Sequence, residues 1–279
     1  MAILDFAIRP KGSQPPLSQP FVLAGRLSFL TLTHTVCILV FYTHFFRAYG
    51  IPAFLVFLLI GMTLCVLEGL MGNRYGHNIV RLRRAGYTDG TILFYQEFNR
   101  AASQALAYIL VNYIATDDHI YTLEYLTKKF GASELVKIAV NLAVTEALFW
   151  AGHRLMHTHP WFIPLHVFHH CSIYPSFNTN LLFNPVDLAI EFAAPALSLL
   201  VMHYLAWNDE GALLYTYIIF QLWYAYDHDE YMGLYHTEHH IKCDSLYVIY
   251  SNLKDSGKGN LLKHYMAEKG FLKDVTVVE

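Results

Sequence analysis

Long apolar runs separated by short polar segments dominate this chain. A helix that crosses a bilayer needs about 20 mostly apolar residues, and six segments approach that length. They are Leu27–Phe46, Pro52–Met71, Phe98–Ala115, Leu135–Trp150, Val186–Trp207 and Ala212–Tyr226. Only "NDEG" separates the last two, which are therefore expected to form a helical hairpin. The pattern predicts an all-α, multi-pass membrane bundle with four to six membrane segments.

Basic residues are distributed unevenly among the connecting segments. They lie before the first apolar segment, between the second and the third, and after the sixth. Counting the crossings puts these three regions on one side, which the positive-inside tendency identifies as cytosolic. Both histidine-rich regions fall on that side. We therefore predict a cytosolic histidine-rich cap with its active site facing the cytosol, in the endoplasmic reticulum membrane of a eukaryote or the cytoplasmic membrane of a bacterium.

Composition supports a lipid bilayer as the surroundings of this chain. Hydrophobic residues make up 55% of it and charged residues only 15%, whereas about a quarter of the residues of a soluble protein are charged. A net charge of −3 without a basic stripe predicts no nucleic-acid partner. The four scattered cysteines predict reduced thiols. Residues 1–20 are expected to form a proline-rich tail, and residues 21–279 a single membrane-embedded catalytic domain.

Histidines crowd into two short stretches, at residues 153–170 and 228–240. The motifs "HVFHH" and "HTEHH" share the spacing 0, 3, 4, and "HRLMH" adds a pair at i and i+4. On a helix these spacings place the imidazoles on one face, where they can bind iron, zinc or copper. So many imidazoles exceed the needs of one ion and predict two. The predicted metal ligands are His153, His157, His166, His169, His170, His228, His236, His239 and His240.

Carboxylates near these histidines are candidates for orienting the imidazole N–H groups. Glu146 lies two helical turns before His153, and Asp227 and Asp229 flank His228. His159 is not predicted as a ligand, because its offset from His157 points it away from the pair. Ionisable residues inside apolar segments are functional candidates by default. Four of them are not predicted as ligands, since the clusters are complete without them: His34, His44, His203 and Glu191.

The order of these motifs resembles the fatty acid hydroxylase/sterol desaturase superfamily. The segment "FWAGHRLMHTHPWFIPLHVFHH" is similar to that family's run of an aromatic residue, His-Arg, His-x-x-Pro and His-x-x-His-His, and the resemblance covers about Leu142 to His240. The chain departs from the family pattern at "NPVD" (Asn184–Asp187) and at "IKCDSLYVIYSNL" after the last motif. Both departures lie where contacts to the substrate and to the ligands are expected.

The resemblance implies a non-haem di-iron centre that uses O2 and external electrons to hydroxylate, oxidise or desaturate a lipid-like substrate. A sterol, a fatty acyl chain and a terpenoid or polyketide intermediate are all open. The chain has no nucleotide-binding fingerprint, so a cytochrome b5-type protein or a reductase is expected as electron donor. One alternative is a non-redox isomerase or hydrolase on the same histidines. Another is a metal transporter or metal-binding protein, whose site would be expected nearer the middle of the membrane.

Overall fold

In the computed structural model, every regular element of the described residues is a helix, which confirms the all-α class. The described residues are 49–53, 55–56, 59–60, 63, 75–114, 131–172, 182–205, 207, 209–227, 239–240, 243, 247 and 259–271. The helices are α1 (Tyr75–Arg84), α2 (Asp89–Ile114), α3 (Ala132–Thr158), α4 (Ile163–His170), α5 (Pro185–Tyr204), α6 (Glu210–Asp227) and α7 (Leu261–Glu268).

Two of these helices, α3 and α5, are long and apolar enough to cross a membrane. Helix α3 contains the fourth predicted segment, and α5 covers the fifth up to Tyr204. Helix α2 covers the third segment except its last residue, and α6 contains the sixth, but neither is among the two candidate spans of the described residues. Segment Leu27–Phe46, most of Pro52–Met71 and the 1–20 tail lie outside the described residues. The number of four to six membrane segments thus stays a prediction.

Helix α3 extends eight residues beyond the predicted end at Trp150. Its buried positions repeat every three or four residues: Ile138, Asn141, Thr145, Phe149, His153, Met156 and His157. The buried stripe of the helix therefore continues past the predicted segment end at Trp150 into His153 and His157. The helix ends where Pro160 approaches, because a residue before proline avoids the helical conformation, and His159 is extended there with ψ 124°.

The main core lies between α3, α5 and α6, with α2 against its side. Phe149, Phe192 and Phe220 fill it together with Tyr217 and Tyr224. A buried hydrogen bond from Asn141 Nδ2 to Thr216 Oγ1, 3.2 Å long, joins α3 to α6. A buried polar pair of this kind fixes the register of two helices, because either group alone in an apolar core would be costly.

A second, smaller core holds α4 in place. Ile163, Val167 and Phe168 of α4 pack with residues of α1 and α7. The side chain of Arg81 reaches across from α1 and donates to the carbonyl oxygens of Cys171 (3.1 Å) and Phe271 (2.6 Å). Both carbonyls follow a helix C-terminus, where unpaired oxygens need donors. Arg81 thereby fixes the end of α4 immediately after its last histidine.

Candidate metal centre

Seven histidines are fully buried together where α3, α4 and the 239–240 segment meet. They are His153, His157, His166, His169, His170, His239 and His240. The sequence predicted all seven as ligands, and the structure brings their rings into mutual contact. Ring centroids of His157 and His170 lie 4.7 Å apart, as do those of His153 and His239. A buried polar group needs a partner, so an interior of seven imidazoles requires protons or metal ions between them.

Helix α4 presents three of these imidazoles from only eight residues. Pro164 stands in its first turn, where a missing N–H costs nothing and the fixed φ favours the helix. The 0, 3, 4 spacing then places His166 and His170 against His157 of α3, and His169 against Phe183 and His240. Such a short helix is marginal alone, and its packing on α1 and α7 supplies the remaining stability.

Two groups of side chains can each hold a metal ion. The first consists of His153, His157, His170 and His239, and the second of His153, His166 and Glu191. In each group the potential ligand atoms lie within 4.8 Å of one another. His153 belongs to both groups, although one imidazole nitrogen binds one ion at a time. The buried cluster can therefore hold metal, and its donors include a carboxylate as well as imidazoles.

The hydrogen-bond partner of His166 determines which nitrogen faces the cluster. His166 Nδ1 lies 2.9 Å from Asp187 Oδ2, and both side chains are fully buried. With Asp187 ionised, its carboxylate can only accept, so that Nδ1 carries the hydrogen and Nε2 presents its lone pair to the cluster. A carboxylate that orients a ligand histidine in this way also increases the basicity of the other nitrogen.

Asn260 performs the corresponding role for His157. Its amide orientation is fixed, because Oδ1 accepts from Lys263 N–H (3.0 Å) and Nδ2 donates to the Cys243 carbonyl (2.5 Å). The same Oδ1 faces His157 Nδ1 at 3.4 Å. An amide oxygen cannot donate, so Nδ1 of His157 carries the hydrogen. Asn260 is also the N-cap of α7, and this cap therefore links the last described helix to the histidine cluster.

The separations between nitrogens fit metal ligation. His157 Nε2 lies 3.1 Å from His166 Nε2, and His153 Nε2 lies 3.0 Å from His239 Nε2. Two nitrogens bound to one ion at about 2.1 Å stand about 3.0 Å apart at a right angle and about 3.4 Å apart at the tetrahedral angle. Both observed separations lie in or next to that range. The residues present thus fit a bound transition-metal ion.

His169 and His240 form another edge of the cluster, with ring centroids 4.4 Å apart. The ring of Phe183 stacks on His169 at 4.0 Å and an interplanar angle of 14°, which fixes the plane of that imidazole. His170 contacts Cys243 Sγ through Nδ1 at 3.4 Å. Burial and the neighbouring histidines lower the pKa of His170 well below its ordinary value. A low pKa keeps His170 neutral, which is the form that binds metal.

The other predicted residues lie outside this cluster or outside the described part. His228, His236 and Asp229 belong to the undescribed residues, and Asp227 ends α6 with an undescribed side chain. Glu146 is half-buried two turns before His153, about 10 Å away along the helix axis. Their roles stay predictions. His159 is exposed, with ring contacts to Trp161 and Phe162, and does not join the cluster.

Sequence reasoning missed three side chains that contact the histidines: Asp187, Glu191 and Asn260. Asp187 belongs to "NPVD", which was noted only as a departure from a family pattern. Glu191 stands out in the sequence as an ionisable residue in an apolar segment, but the sequence does not predict it as a ligand because the histidines suffice by number. No local pattern identifies Asn260, since only the folded chain brings its N-cap to His157.

Comparisons of this chain with protein-family models, with curated proteins and with solved structures find no match. The resemblance to the fatty acid hydroxylase/sterol desaturase superfamily stays a prediction that rests on the sequence motifs.

Proposed function

We propose that this chain is a membrane-bound non-haem di-iron oxygenase that hydroxylates, oxidises or desaturates a lipid-like substrate. The observation that carries the proposal is the burial of seven histidines in one cluster. One ion uses at most six ligands and a reactive centre keeps positions open, so seven imidazoles and a carboxylate favour two ions. The order of the histidine motifs supports iron and O2 as the chemistry.

Bound iron would supply O2 reduction and C–H oxidation, and the chain supplies the conditions for them. His153, His157, His166, His169, His170, His239 and His240 would hold the ions, with His228 and His236 as further predicted ligands. Asp187 and Asn260 hold the Nδ1 hydrogens of His166 and His157, so that their Nε2 atoms face the metal. Complete burial of the cluster excludes bulk water, which protects an oxidising centre from side reactions.

An apolar substrate fits the surroundings of the cluster. Phe149 and Phe183 contact His153 and His169 directly, and Tyr224 packs beside both phenylalanines. Two candidate membrane spans lead to the same region. These features support a substrate that enters from a bilayer, and a cytochrome b5-type protein or a reductase as external electron donor. The proposed location of the protein is the endoplasmic reticulum membrane of a eukaryote or the cytoplasmic membrane of a bacterium, with the site facing the cytosol.

A second candidate function is a non-redox metal enzyme, an isomerase or a hydrolase. The group of His153, His166 and Glu191 favours it, because two imidazoles and one carboxylate form a common donor set for catalytic zinc. A zinc ion there would supply an activated water or polarise a carbonyl group. The two candidates differ in the metal retained and in O2 consumption.

The test is metal content and O2 uptake of the full chain, purified in detergent after growth with iron and reduced anaerobically. His169→Ala and His239→Ala remove buried histidines, and His159→Ala removes an exposed histidine as the matched control. We expect about two irons per chain, with O2 uptake lost in the first two variants and kept in the third.

Each other outcome has a defined meaning. Iron bound without O2 uptake under any reductant, or a strict preference for zinc, would favour the non-redox enzyme. Wild-type protein without bound metal, and equal behaviour of all three variants, would overturn the metal centre itself. Thermal unfolding of each variant separates loss of ligands from loss of the fold.

A further inference from the structure

Glu191 is a fully buried acidic side chain beside the histidine cluster. Neither carboxylate oxygen has a hydrogen-bond partner among the described residues. Its nearest charged or ionisable neighbours are two histidines of the cluster. Glu191 Oε1 lies 3.5 Å from His166 Nδ1 and 3.9 Å from His153 Nε2. The carboxylate thus points at the cluster without being satisfied by it.

The surroundings of Glu191 favour a cation. Asp187, one turn earlier, is also fully buried, and its Oδ2 is engaged by His166. Among the described residues no lysine or arginine pairs with either carboxylate. An ionised carboxylate in an apolar interior is costly unless it is paired or coordinates a metal. Two such carboxylates beside seven imidazoles form an interior that a multivalent cation would stabilise.

The backbone of α5 is specialised at this position. Residues Ala189–Ala193 form a π-helical segment between two α-helical segments, and Glu191 is its central residue. Single π turns within α-helices occur frequently at functional sites. The segment also approaches α3 closely, because a Cβ on Gly152 would lie 2.7 Å from Ile190 Cγ2. Gly152 precedes His153, so the absence of a side chain there brings Glu191 and the first histidine together.

We propose that Glu191 is an oxygen ligand of the metal centre, which makes the centre mixed nitrogen–oxygen rather than all-histidine. The inference rests on the metal centre of the proposed function. His153 and His166 complete the donor group around Glu191. A carboxylate ligand brings one negative charge to ions that imidazoles leave fully positive. It also favours harder ions such as iron over copper(I).

The test is titration of the metal-free full chain in detergent with Fe(II) and, separately, with Co(II). Bound ions per chain and the visible cobalt spectrum report the number of ions and the type of donor. Glu191→Gln keeps the shape and removes the charged donor, while Glu191→Asp keeps a carboxylate. Glu268→Gln makes the same chemical change at an exposed position of α7 and is the matched control.

We expect Glu191→Gln to lose one of about two ions, or to bind it at least tenfold more weakly. The cobalt spectrum should change in this variant and remain close to wild type in Glu268→Gln, since Glu268 is exposed and belongs to neither donor group. Glu191→Asp should retain both ions at reduced affinity. This variant tests the ligand role if Glu191→Gln does not fold. The melting temperature of metal-free Glu191→Gln should equal or exceed wild type, because a buried charge is removed.

Unchanged ion binding and an unchanged cobalt spectrum in Glu191→Gln would overturn the ligand role and leave a histidine-only centre standing. A wild-type chain that binds neither ion would overturn the proposed function, and this inference with it. Equal losses in Glu191→Gln and Glu268→Gln would assign the effect of Glu191→Gln to general electrostatics and contradict a bond to metal.

Discussion

The Nε2 atoms of His157 and His166 face each other at 3.1 Å, while both Nδ1 hydrogens are held by other side chains. Two lone pairs at this separation repel unless a proton or a metal ion lies between them. The pair lies on different helices, α3 and α4. Repulsion between the two nitrogens would push α3 and α4 apart when the site is empty. Metal binding and the packing of these helices are therefore coupled.

Removal of bound metal should lower the stability of the protein. An ion present at 100 times its Kd contributes about 2.7 kcal/mol to the folded state. For a chain of this size that corresponds to a fall of about 5 to 10 °C in melting temperature. The measurement is thermal unfolding in detergent before and after chelation, followed by re-addition of iron.

The melting temperature of His157→Ala should not fall when metal is chelated, because this variant lacks one of the two facing imidazoles. His159 is close in sequence but exposed. The melting temperature of His159→Ala should therefore fall on chelation by as much as that of wild type. A melting temperature of wild type that does not respond to chelator would contradict this account of the pair.

The close approach of α3 and α5 at Gly152 should be sensitive to a single methyl group. Gly152→Ala places a Cβ 2.7 Å from Ile190 Cγ2 and 3.3 Å from the Ile190 carbonyl oxygen. Ile190 is β-branched and cannot easily move that methyl aside. We expect overpacking to lower the free energy of unfolding by about 1–3 kcal/mol. The higher helix propensity of alanine should offset up to about 1 kcal/mol of this loss. Metal binding should also become weaker.

Gly90→Ala is the matched control for this substitution. Gly90 is also helical, but a Cβ there would meet only Thr88 Oγ1 at 3.8 Å. Its stability should stay the same or rise slightly. Gly152→Ala combined with Ile190→Ala should recover part of the lost metal affinity, because the nearer of the two clashes is removed. Equal stability of the two glycine variants would show that the helices can separate without cost.

The sequence predicted the histidines of the site but not the groups that hold them. His166, His169 and His170 follow from local periodicity, which depends only on helix geometry. Glu191 could be suspected from a charge in an apolar segment. Its neighbours could not, because the π-helical turn and the Gly152 contact that direct it arise from packing between distant segments.

Helix ends were also predictable only in part. Apolar content marked the start of α3 well, since Leu135 lies three residues inside the observed helix. Apolar content predicts its C-terminal end at Trp150, because polar residues follow, whereas the helix continues to Thr158. Those residues, including His153 and His157, are buried by contacts with α4 and residues 239–240 that periodicity cannot reveal.

Asn260 should matter to metal binding through His157. Asn260→Ala removes the N-cap of α7, at a cost of about 1 kcal/mol, and also the acceptor for His157 Nδ1–H. Asn260→Ser restores a capping oxygen, yet its side chain is too short to reach the ring in the same way. Both variants should bind cobalt(II) about 10- to 100-fold more weakly, while serine regains the stability of the cap.

Cobalt titration and thermal unfolding, measured on the same two variants, separate these two roles. If serine restored metal affinity along with stability, Asn260 would act only as a helix cap. If neither variant changed metal affinity, the 3.4 Å contact with His157 would have no influence on the site.

The ion pair between Arg83 and Asp89, at the junction of α1 and α2, should make stability depend on acid pH. Arg83 Nε donates to Asp89 Oδ1 at 2.7 Å, and Nη2 donates to Oδ2 at 3.1 Å. The hydrogen bonds from Arg83 lower the pKa of Asp89 below its ordinary value of about 3.9. Because the folded-state pKa is lowered, the contribution is complete above pH of about 4 and is lost as pH falls through the folded-state pKa.

Asp89→Asn should therefore melt at a lower temperature than wild type at pH 7, and the difference should persist down to pH of about 5. Below pH of about 4 the two curves should converge, since protonated aspartic acid pairs with Arg83 no better than asparagine does. Arg83→Gln should show the same convergence, and the double variant should lose no more than either single change, because each breaks the same pair. A difference between wild type and Asp89→Asn that stays constant to pH 3 would instead assign the effect to the N-terminus of α2, where Asp89 stands in the first turn.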